Sequence, residues 1–363
     1  MQEAWRENAI DRLLAERAAA PFTPVRALSL RCGRQLLFKD ESVHPSGSLK
    51  HRLARALYLH HLREGRLAPG MAVFDASSGS TAVSEAWFAE RLGLRHFAVI
   101  PEHTSPAKQA LIRSFGGECI TVNPQRCCKQ EAARLAQEHG GVFLDQFGNA
   151  ARVVEWHAHN VAVELFTQLA ERGMPLPDAF ICGAGTGGTA ASTGRFLRRT
   201  GRATRLLVVD PEESAFYAHF TGREAGCLCA SRVEGIGRPA VEPAFDPALI
   251  DAMLRVPDAA SFAAARWLKS RLGWSVGVST GTNFIGAIHA LAAGGQCVAT
   301  LICDGGERYA GTLDNEDWLA AQGFHVAAWE EAIDRWYAGG DWLPPQAISA
   351  SEPCRRSTGR AAE

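Results

Sequence analysis

The feature that most constrains this chain is the alternation of short β-rich runs with helical runs from residue 71 onward. "MAVFD" leads into "STAVSEAWFAERLG", "RHFAVI" into "SPAKQALIRSFG", and "ECITV" into "KQEAARLAQEHG". A second set runs from "DAFICG" to "CVATLICD". Because parallel strands need helical crossovers, the pattern predicts an α/β protein. The two sets predict two doubly wound open twisted sheets with a cleft between them.

The same pattern predicts where the domains divide. We expect an N-terminal α/β domain over residues 1–160 and a C-terminal α/β domain over 161–340, with a long helix over 151–172 near the boundary. The length of 363 residues suffices for two hydrophobic cores. Residues 341–363 are small, polar and charged, so we expect a disordered tail there.

Charge and cysteine usage exclude several classes of protein. A formal net charge of -1 gives no electrostatic argument for nucleic acid or an anionic membrane as a partner. No apolar run is long enough to span a bilayer, and the charged N-terminus is unlike a secretory signal, so we expect a cytoplasmic protein. Most of the ten cysteines lie in apolar contexts. Cys127–Cys128 and Cys227–Cys229 lack the spacing of a zinc site, so we expect reduced thiols and no metal.

Three loops that follow predicted strands are rich in Gly, Ser and Thr, and ligands of open α/β sheets bind at such loops. In "GAGTGGT" (183–189), glycines let backbone N–H groups approach an anion, and the following helix N-terminus favours negative charge. "DASSGSTAVSEA" (75–86) predicts a second site, for a small anion such as a carboxylate. "GVSTGTN" (277–283) repeats the pattern. The alternatives without a ligand are a tight turn and a Ser/Thr helix cap.

The first of these loops also fits another class of enzyme. Gly183, Gly185 and Gly188 form a G-x-G-x-x-G pattern, and Asp210 ends the next strand at about the distance of 20 residues that a dinucleotide site requires. An NAD-dependent oxidoreductase is therefore an alternative. It leaves Lys50 and the second loop unexplained.

The stretch "HPSGSLKHR" (44–52) places basic residues at the start of a helix that is predicted to open near Ser48. A helix N-terminus carries partial positive charge, which disfavours the charge of Lys50 beside Arg52. We therefore expect a neutral, nucleophilic amine at Lys50, able to form a Schiff base. Together with the three loops rich in Gly, Ser and Thr, this amine predicts a phosphorylated cofactor that is bound covalently. His51, His60 and His61 are expected to be surface or capping groups.

These segments resemble a known family. "HPSGSLKHR" resembles the N-P-T-G-S-x-K-D-R segment of fold-type II pyridoxal-phosphate enzymes, the cysteine synthase and cystathionine β-synthase family. "SSGSTA" resembles their S-S-G-N-T-G loop, "DQFGNAAR" their Q-F-x-N-P-A-N, "GTGGT" their phosphate loop and "GGERY" their S-G-E-R-Y. The matches keep the family's order over about residues 35–310. "SSGSTAVSEAWFAERLGL" with "SPAKQALIRSFGG" is most similar to the bacterial L-cysteine desulfhydrase branch.

The resemblance implies a role for each matching residue. Lys50 binds pyridoxal 5′-phosphate and moves the substrate's α-proton. Ser80 stands where the family has an Asn that contacts the ring, and Gly305 stands where it has a Ser that faces the ring nitrogen, so we expect Ser279, or alternatively Asp304, to take that place. The phosphate-binding residues are Gly185, Thr186, Gly187, Gly188 and Thr189. The substrate-binding residues are Ser77, Ser78, Gly79, Thr81, Gln146 and Gly235.

The resemblance also implies the reaction. It predicts β-elimination on L-cysteine through an enzyme-bound aminoacrylate, giving sulfide, pyruvate and ammonia. Cysteine synthase, in which sulfide replaces the acetate of O-acetylserine, shares the same early steps and remains the near alternative. The family also implies a homodimer.

Overall fold

A computed structural model describes residues 1–123, 125–223 and 231–352. The strands are β1 (Val25–Ser29), β2 (Gln35–Asp40), β3 (Ala72–Asp75), β4 (Arg95–Pro101), β5 (Gly117–Val122), β6 (Val142–Phe143), β7 (Ala179–Gly183), β8 (Arg205–Pro211), β9 (Ala252–Val256), β10 (Cys297–Ile302) and β11 (Ser349–Ser351). The helices are α1 (Gln2–Ala19), α2 (Lys50–Arg63), α3 (Ser80–Leu92), α4 (Pro106–Ser114), α5 (Cys128–Glu138), α6 (Gln146–Val153), α7 (Val161–Glu171), α8 (Gly188–Arg199), α9 (Ala215–Thr221), α10 (Asp258–Leu272), α11 (Val278–Ala292), α12 (Ala310–Leu313), α13 (Glu316–Ala321) and α14 (Val326–Tyr337).

The strands form two open sheets, which confirms the predicted α/β class. The larger sheet has the order β1-β2-β10-β7-β8-β9-β11, and the smaller one has the order β5-β4-β3-β6. The smaller sheet is parallel throughout, whereas the larger one is parallel from β2 to β9 and has antiparallel edge strands. Central strands such as β10 are buried along their whole length because helices cover both faces.

Buried hydrophobic side chains pack against both sheets. Helices α10, α11 and α14 pack on one face of the larger sheet around Trp267 and Phe284, and α7, α8 and α9 cover its other face around Phe180. Helices α1, α2 and α3 pack with the smaller sheet around Tyr58 and Phe88. Among the helices that the structure describes, none is both long and apolar enough to cross a membrane.

The larger sheet differs from the expected domain division. Strands β1 and β2 lie within residues 1–160, yet β2 pairs with β10 and belongs to the larger sheet. The apolar run Leu36–Leu37–Phe38 of β2 is fully buried there. The chain therefore starts in the larger sheet, passes to the smaller one, and returns.

Two further expectations are wrong in part. The predicted helix over 151–172 is interrupted, because α6 ends at Val153 and α7 begins at Val161, where the Asn160 side chain accepts the first N–H groups. The predicted tail is ordered at its start, since β11 pairs with Met253–Arg255 of β9. Residues 353–363, like Cys227–Cys229, lie outside the described residues.

Candidate active site

A cavity of about 1000 Å³ lies where the carboxyl ends of β3, β7 and β10 meet. Every residue that the sequence predicts for the cofactor or the substrate lines this cavity. These residues are Lys50, Ser77, Ser78, Gly79, Ser80, Thr81, Gln146, Gly185, Thr186, Gly187, Gly188, Thr189, Gly235, Ser279 and Asp304. The structure thus brings together segments from both sheets.

Lys50 is the first residue of α2 and is positioned by the end of β10. The N–H of Leu49 donates to the carbonyl of Cys303 at 2.8 Å, and Ser48 forms a β-bridge with Asp304. The start of α2 has no side-chain cap. Lys50 lines the cavity and, among the described residues, its amine has no hydrogen bond or ion pair. The neighbouring Cys303 thiol stays protonated, because burial raises its pKa to about 11.

The Arg52 side chain beside Lys50 is paired with two carboxylates. Its guanidinium donates to Glu164 Oε1 at 2.6 Å and to Glu41 Oε1 at 3.0 Å, and both carboxylates bind it through two contacts. Two anions therefore compensate the charge of Arg52, and the expectation for Lys50 stays a prediction. The partial positive charge at the start of α2 is the other electrostatic influence on Lys50 that the sequence identifies.

The predicted phosphate loop is tight. Gly187 has φ +85°, and a Cβ there would lie 2.7 Å from the backbone nitrogen of Phe245. A Cβ on Gly185 would collide with the carbonyl oxygen of Gly235. Helix α8 starts at Gly188 at a buried end, where the N-cap Gly187 offers no side chain and only the Thr186 hydroxyl accepts an N–H, that of Gly188 at 3.3 Å, among the described residues. Such an end leaves backbone N–H groups for a ligand.

The predicted substrate loop is connected to Gln146. The Thr81 hydroxyl donates to Gln146 Oε1 at 2.8 Å, and Gln146 Nε2 donates to the carbonyl of Ala76 at 3.4 Å. The α3 start has no side-chain cap either. The loop and the amide therefore present several donors to one side of the cavity.

The Ser80 hydroxyl is already engaged by protein groups. It donates to Asp304 Oδ2 at 2.9 Å and accepts from Arg308 Nη1 at 2.9 Å. A hydroxyl has one proton and two lone pairs, so Ser80 retains one lone pair for a further donor. Sequence reasoning missed Arg308 as a contact of the site; it also binds the carbonyl of Ser46 at 2.7 Å.

Both candidates for the ring-nitrogen contact line the cavity. Asp304 Oδ2 accepts from the Tyr309 hydroxyl at 2.6 Å, whereas its Oδ1 is buried and has no partner among the described residues. Burial raises the pKa of Asp304, and Tyr309, Arg308 and Ser80 oppose this. Ser279 hydrogen-bonds to the Cys303 thiol. The choice between Ser279 and Asp304 stays a prediction.

His51 is not a surface group, contrary to expectation. Its ring is fully buried, with Nδ1 2.9 Å from Ser46 Oγ and Nε2 3.1 Å from Glu16 Oε1. His61 is likewise buried. Burial lowers the pKa of each imidazole to about 4. Both residues lie on the buried face of α2, the helix that begins with Lys50.

Asp210 does not serve the dinucleotide alternative. The carboxylate is fully buried and accepts the N–H of Tyr217 at 2.8 Å, and it does not line the cavity. Burial raises its pKa to about 7. An acid that binds a ribose must be accessible to it, so this interpretation lacks its second element.

Comparison with known sequences gives consistent matches. The family described as pyridoxal-phosphate dependent enzyme matches residues 15–304. The L-cysteine desulfhydrase Cds1 of Mycobacterium tuberculosis is 46% identical over 341 residues, covering 90% of this chain and 93% of that protein. A putative cysteine synthase of Sinorhizobium fredii is 32% identical over 336 residues, covering 87% and 95%.

Solved structures share the fold. A hydrogen sulfide-producing enzyme from Fusobacterium nucleatum superimposes with a TM-score of 0.75 at 24% identity, covering 86% of this chain and 96% of that one. An O-ureido-L-serine synthase superimposes with a TM-score of 0.72 at 26% identity, covering 84% and 98%.

Proposed function

The chain belongs to the pyridoxal-phosphate dependent enzyme family, and from that premise we propose that it is an L-cysteine desulfhydrase, which converts L-cysteine and water to hydrogen sulfide, pyruvate and ammonia. The observation that carries the proposal is the Lys50 amine, free of protein partners among the described residues, in a cavity lined by the loops that follow both β3 and β7. Similarity to the mycobacterial desulfhydrase over nearly the whole chain supports this substrate.

The residues of the cavity fit the cofactor. A phosphate fits the start of α8, which is buried and too tight for a side chain at Gly187. A ring N–H fits the buried Oδ1 of Asp304, which has no partner among the described residues. An aldehyde fits beside the amine of Lys50. Pyridoxal phosphate supplies this aldehyde and a ring that withdraws electrons from the substrate's α-carbon.

The chain's own groups then bind the substrate and move its proton. The backbone N–H groups of residues 77–81 and the hydroxyls of Ser77 and Ser78, together with the amide N–H of Gln146, hold the substrate carboxylate at the uncapped start of α3. The amine of Lys50 takes the α-proton, as a positioned base at a helix start can. Because Cys303 stays protonated beside it, the base is an amine and not a thiolate.

Cysteine synthase remains a second candidate, since a putative cysteine synthase covers most of this chain at 32% identity. Both reactions need the same lysine and the same carboxylate site. They differ in the leaving group, which is sulfide in one reaction and acetate in the other, and in whether water or sulfide completes the reaction. The nicotinamide alternative is not supported, because the matching family uses pyridoxal phosphate and Asp210 is sequestered.

The test is to give the purified protein L-cysteine alone and to measure sulfide and pyruvate. Equal amounts of both products are expected. If neither forms, the lyase proposal fails. Adding O-acetylserine and sulfide then compares the two reactions, and a faster replacement would make cysteine synthase the physiological activity.

Lys50→Ala is expected to remove the yellow colour of the purified protein and to lower sulfide production by at least about 10²–10⁴-fold, because both the covalent attachment and the base are lost. Absorption spectra and product assays measure the two effects. The matched control is Lys269→Ala, which removes an exposed lysine paired with Asp314 on the surface. A Lys50→Ala protein that stays yellow and active would contradict the assignment.

We also propose that the protein works as a homodimer in the cytoplasm, as is usual in this family. A reducing compartment agrees with the free thiols of Cys182 and Cys297 in the core. Light scattering of the purified protein tests the oligomeric state: a mass twice that of the 39.1 kDa chain is expected.

A further inference from the structure

Three ionisable side chains lie together beneath the substrate loop, and the mechanism above uses none of them. Asp75 ends β3, Glu85 lies on α3, and His96 lies on β4. All three are buried, and none lines the cavity. Charged groups are rarely buried without a function that compensates the cost of removing them from water.

Asp75 binds both segments that carry the substrate-binding groups. Its Oδ1 accepts the N–H of Ala76 at 2.8 Å, and its Oδ2 accepts the N–H of Gln146 at 3.3 Å. Ala76 immediately precedes the substrate loop, and Gln146 bonds to Thr81 of that loop. One carboxylate therefore fixes the distance between the two sides of the carboxylate site.

Glu85 hydrogen-bonds to Asp75, which requires one proton between the two acids. Two backbone N–H groups favour the charged form of Asp75, whereas the hydrogen bond to Glu85 raises the pKa of Asp75 and lowers that of Glu85, so the two carboxyls share the proton. Burial raises the pKa of both carboxyls, that of Glu85 to about 8. The pair as a whole therefore carries one proton near neutral pH.

Two other groups complete the surroundings of Glu85. His96 Nε2 lies 3.3 Å from Glu85 Oε2, and burial lowers the pKa of this imidazole to about 4, so the ring is neutral. The Tyr58 hydroxyl of α2 donates to the backbone carbonyl of Glu85, and burial raises the pKa of that phenol. No cation among these neighbours would stabilise a second carboxylate.

We propose that Asp75, Glu85 and His96 form a buried support that shares one proton and positions the substrate loop against Gln146, so that loss of this proton loosens the substrate-carboxylate site. These are positioning residues, since none of them reaches the cavity. The inference rests on the proposed function in assigning the loop to the substrate.

The test compares wild type with Glu85→Gln, which keeps a neutral side chain of the same shape that can donate to Asp75 and cannot ionise. The probe is L-serine, which has the carboxylate but a poor leaving group, and its dissociation constant is read from the visible absorption of the holoenzyme between pH 6 and pH 10. The ratio of the wild-type constant to the Glu85→Gln constant is expected to be near 1 at pH 7 and to rise at least fivefold by pH 10. Ionisation of the amino acid itself cancels in this ratio.

Asp210→Asn is the matched control. Asp210 is equally buried and has a raised pKa, but it lies on β8 of the larger sheet, away from the substrate loop. The ratio of the wild-type dissociation constant for L-serine to that of Asp210→Asn is expected to stay within twofold of 1 over the same pH range. Glu85→Leu removes the donor altogether and is expected to weaken L-serine binding at least fivefold at pH 7. A Glu85→Gln ratio that is flat with pH overturns the proposal, whether or not Glu85→Leu folds. Serine binding without sulfide release from cysteine would instead contradict the proposed function alone.

Discussion

Glu41 shows how much of the Lys50 helix depends on single buried charges. Its carboxylate is fully buried and accepts from Thr23, His44 and Arg52. Arg52 also donates to Glu164, and Glu164 forms an ion pair with the buried Lys39 at 3.1 Å. Removing one partner of such a pair leaves an uncompensated charge in the interior.

Glu41→Gln is therefore expected to lower the free energy of unfolding by about 3 kcal/mol at neutral pH. Burial acts to raise the pKa of Glu41, but Arg52 and His44 outweigh it and hold the pKa well below its usual value. The carboxylate therefore stabilises the fold above about pH 4.5, and this stabilisation is lost as pH falls towards the folded-state pKa. Denaturant unfolding at several pH values measures this: the difference between wild type and variant should shrink below about pH 4.5.

The control for this prediction is Glu138→Gln, which removes an exposed carboxylate paired with Arg134 on α5. It should leave the unfolding transition unchanged. A constant difference between wild type and Glu41→Gln down to pH 3 would contradict the role assigned to the ionised carboxylate.

Single residues of α2 show what the sequence can and cannot reveal. His51, Ala54, Tyr58, His61 and Leu62 follow the spacing of one helix face, and that face is buried. This spacing was visible in the sequence and predicts burial of both histidines more correctly than their polarity does. The partner Glu16 on α1 was not predictable, because nothing local links the two segments.

At the scale of an element, the start of α8 is the feature most sensitive to one added atom. Gly187 combines a left-handed backbone with close backbone contacts to Ala244 and Phe245. These neighbours are main-chain atoms and cannot turn aside as a flexible side chain would. Any side chain must therefore move the loop itself.

Gly187→Ala is expected to weaken cofactor binding at least tenfold, because the loop that would hold the phosphate has to shift. Titration of apoprotein with pyridoxal phosphate, followed by absorption, measures this. Gly201→Ala is the matched control: Gly201 has φ +62°, but a Cβ there would have no atom within 4 Å among its described surroundings.

That control should lose about 1–2 kcal/mol of stability from backbone strain alone and keep its cofactor affinity. Equal affinities for the two variants would show that strain, and not the close contact at Gly187, determines the loop. The glycine density of this loop was readable from sequence, and so was its place between a strand and a helix. Its contact with residues 244–245 was not, because these follow in a different part of the fold.

The interruption between α6 and α7 has a similar explanation. Asn160 caps α7 through bonds of 3.0 Å from the N–H groups of Ala162 and Val163. Asn is a strong N-cap signal. The apolar and charged residues on both sides of Asn160 nevertheless keep a helical spacing, so the sequence pattern predicts one continuous helix. The cap signal outweighs the periodicity here.

At the scale of the whole molecule, an ion pair joins the two halves beside the cavity. Lys108 of α4 lies 2.6 Å from Glu234, whose segment packs on β7 through Ile236 and Gly183. Both charged residues line the cavity. The pair is about one-third exposed, so its energy is limited to roughly 1 kcal/mol.

Lys108→Glu and Glu234→Lys are each expected to raise KM for cysteine, and the double exchange is expected to restore it. Loss of the pair itself accounts for up to about fivefold, the equivalent of about 1 kcal/mol, and like charges add to this. Steady-state kinetics of wild type, the two single variants and the double exchange give the coupling energy between the two residues. The same exchange at the exposed pair Lys269–Asp314, remote from the cavity, is the control. Additive effects at Lys108 and Glu234 would contradict a bond between the halves.

The global path of the chain was the least predictable property. Local alternation predicts the strands and helices of both sheets, and short motifs predict the residues of the site. Pairing of β2 with β10 has no local signal, because Gln35–Asp40 and Cys297–Ile302 lie near opposite ends of the chain. This pairing makes the domain division at residue 160 inexact.

Strand β10 occupies the place between β2 and β7, and this has a consequence during synthesis. A ribosome delivers β2, the helix with its lysine, and β7 long before it delivers the strand that separates them. Until residue 303 has emerged, both neighbours present open edges to the cell, and the N–H of Leu49 lacks its acceptor, the Cys303 carbonyl. We therefore expect the amine of Lys50 to reach its final position only near the end of translation, when Cys303 and Asp304 can contact the preceding residues.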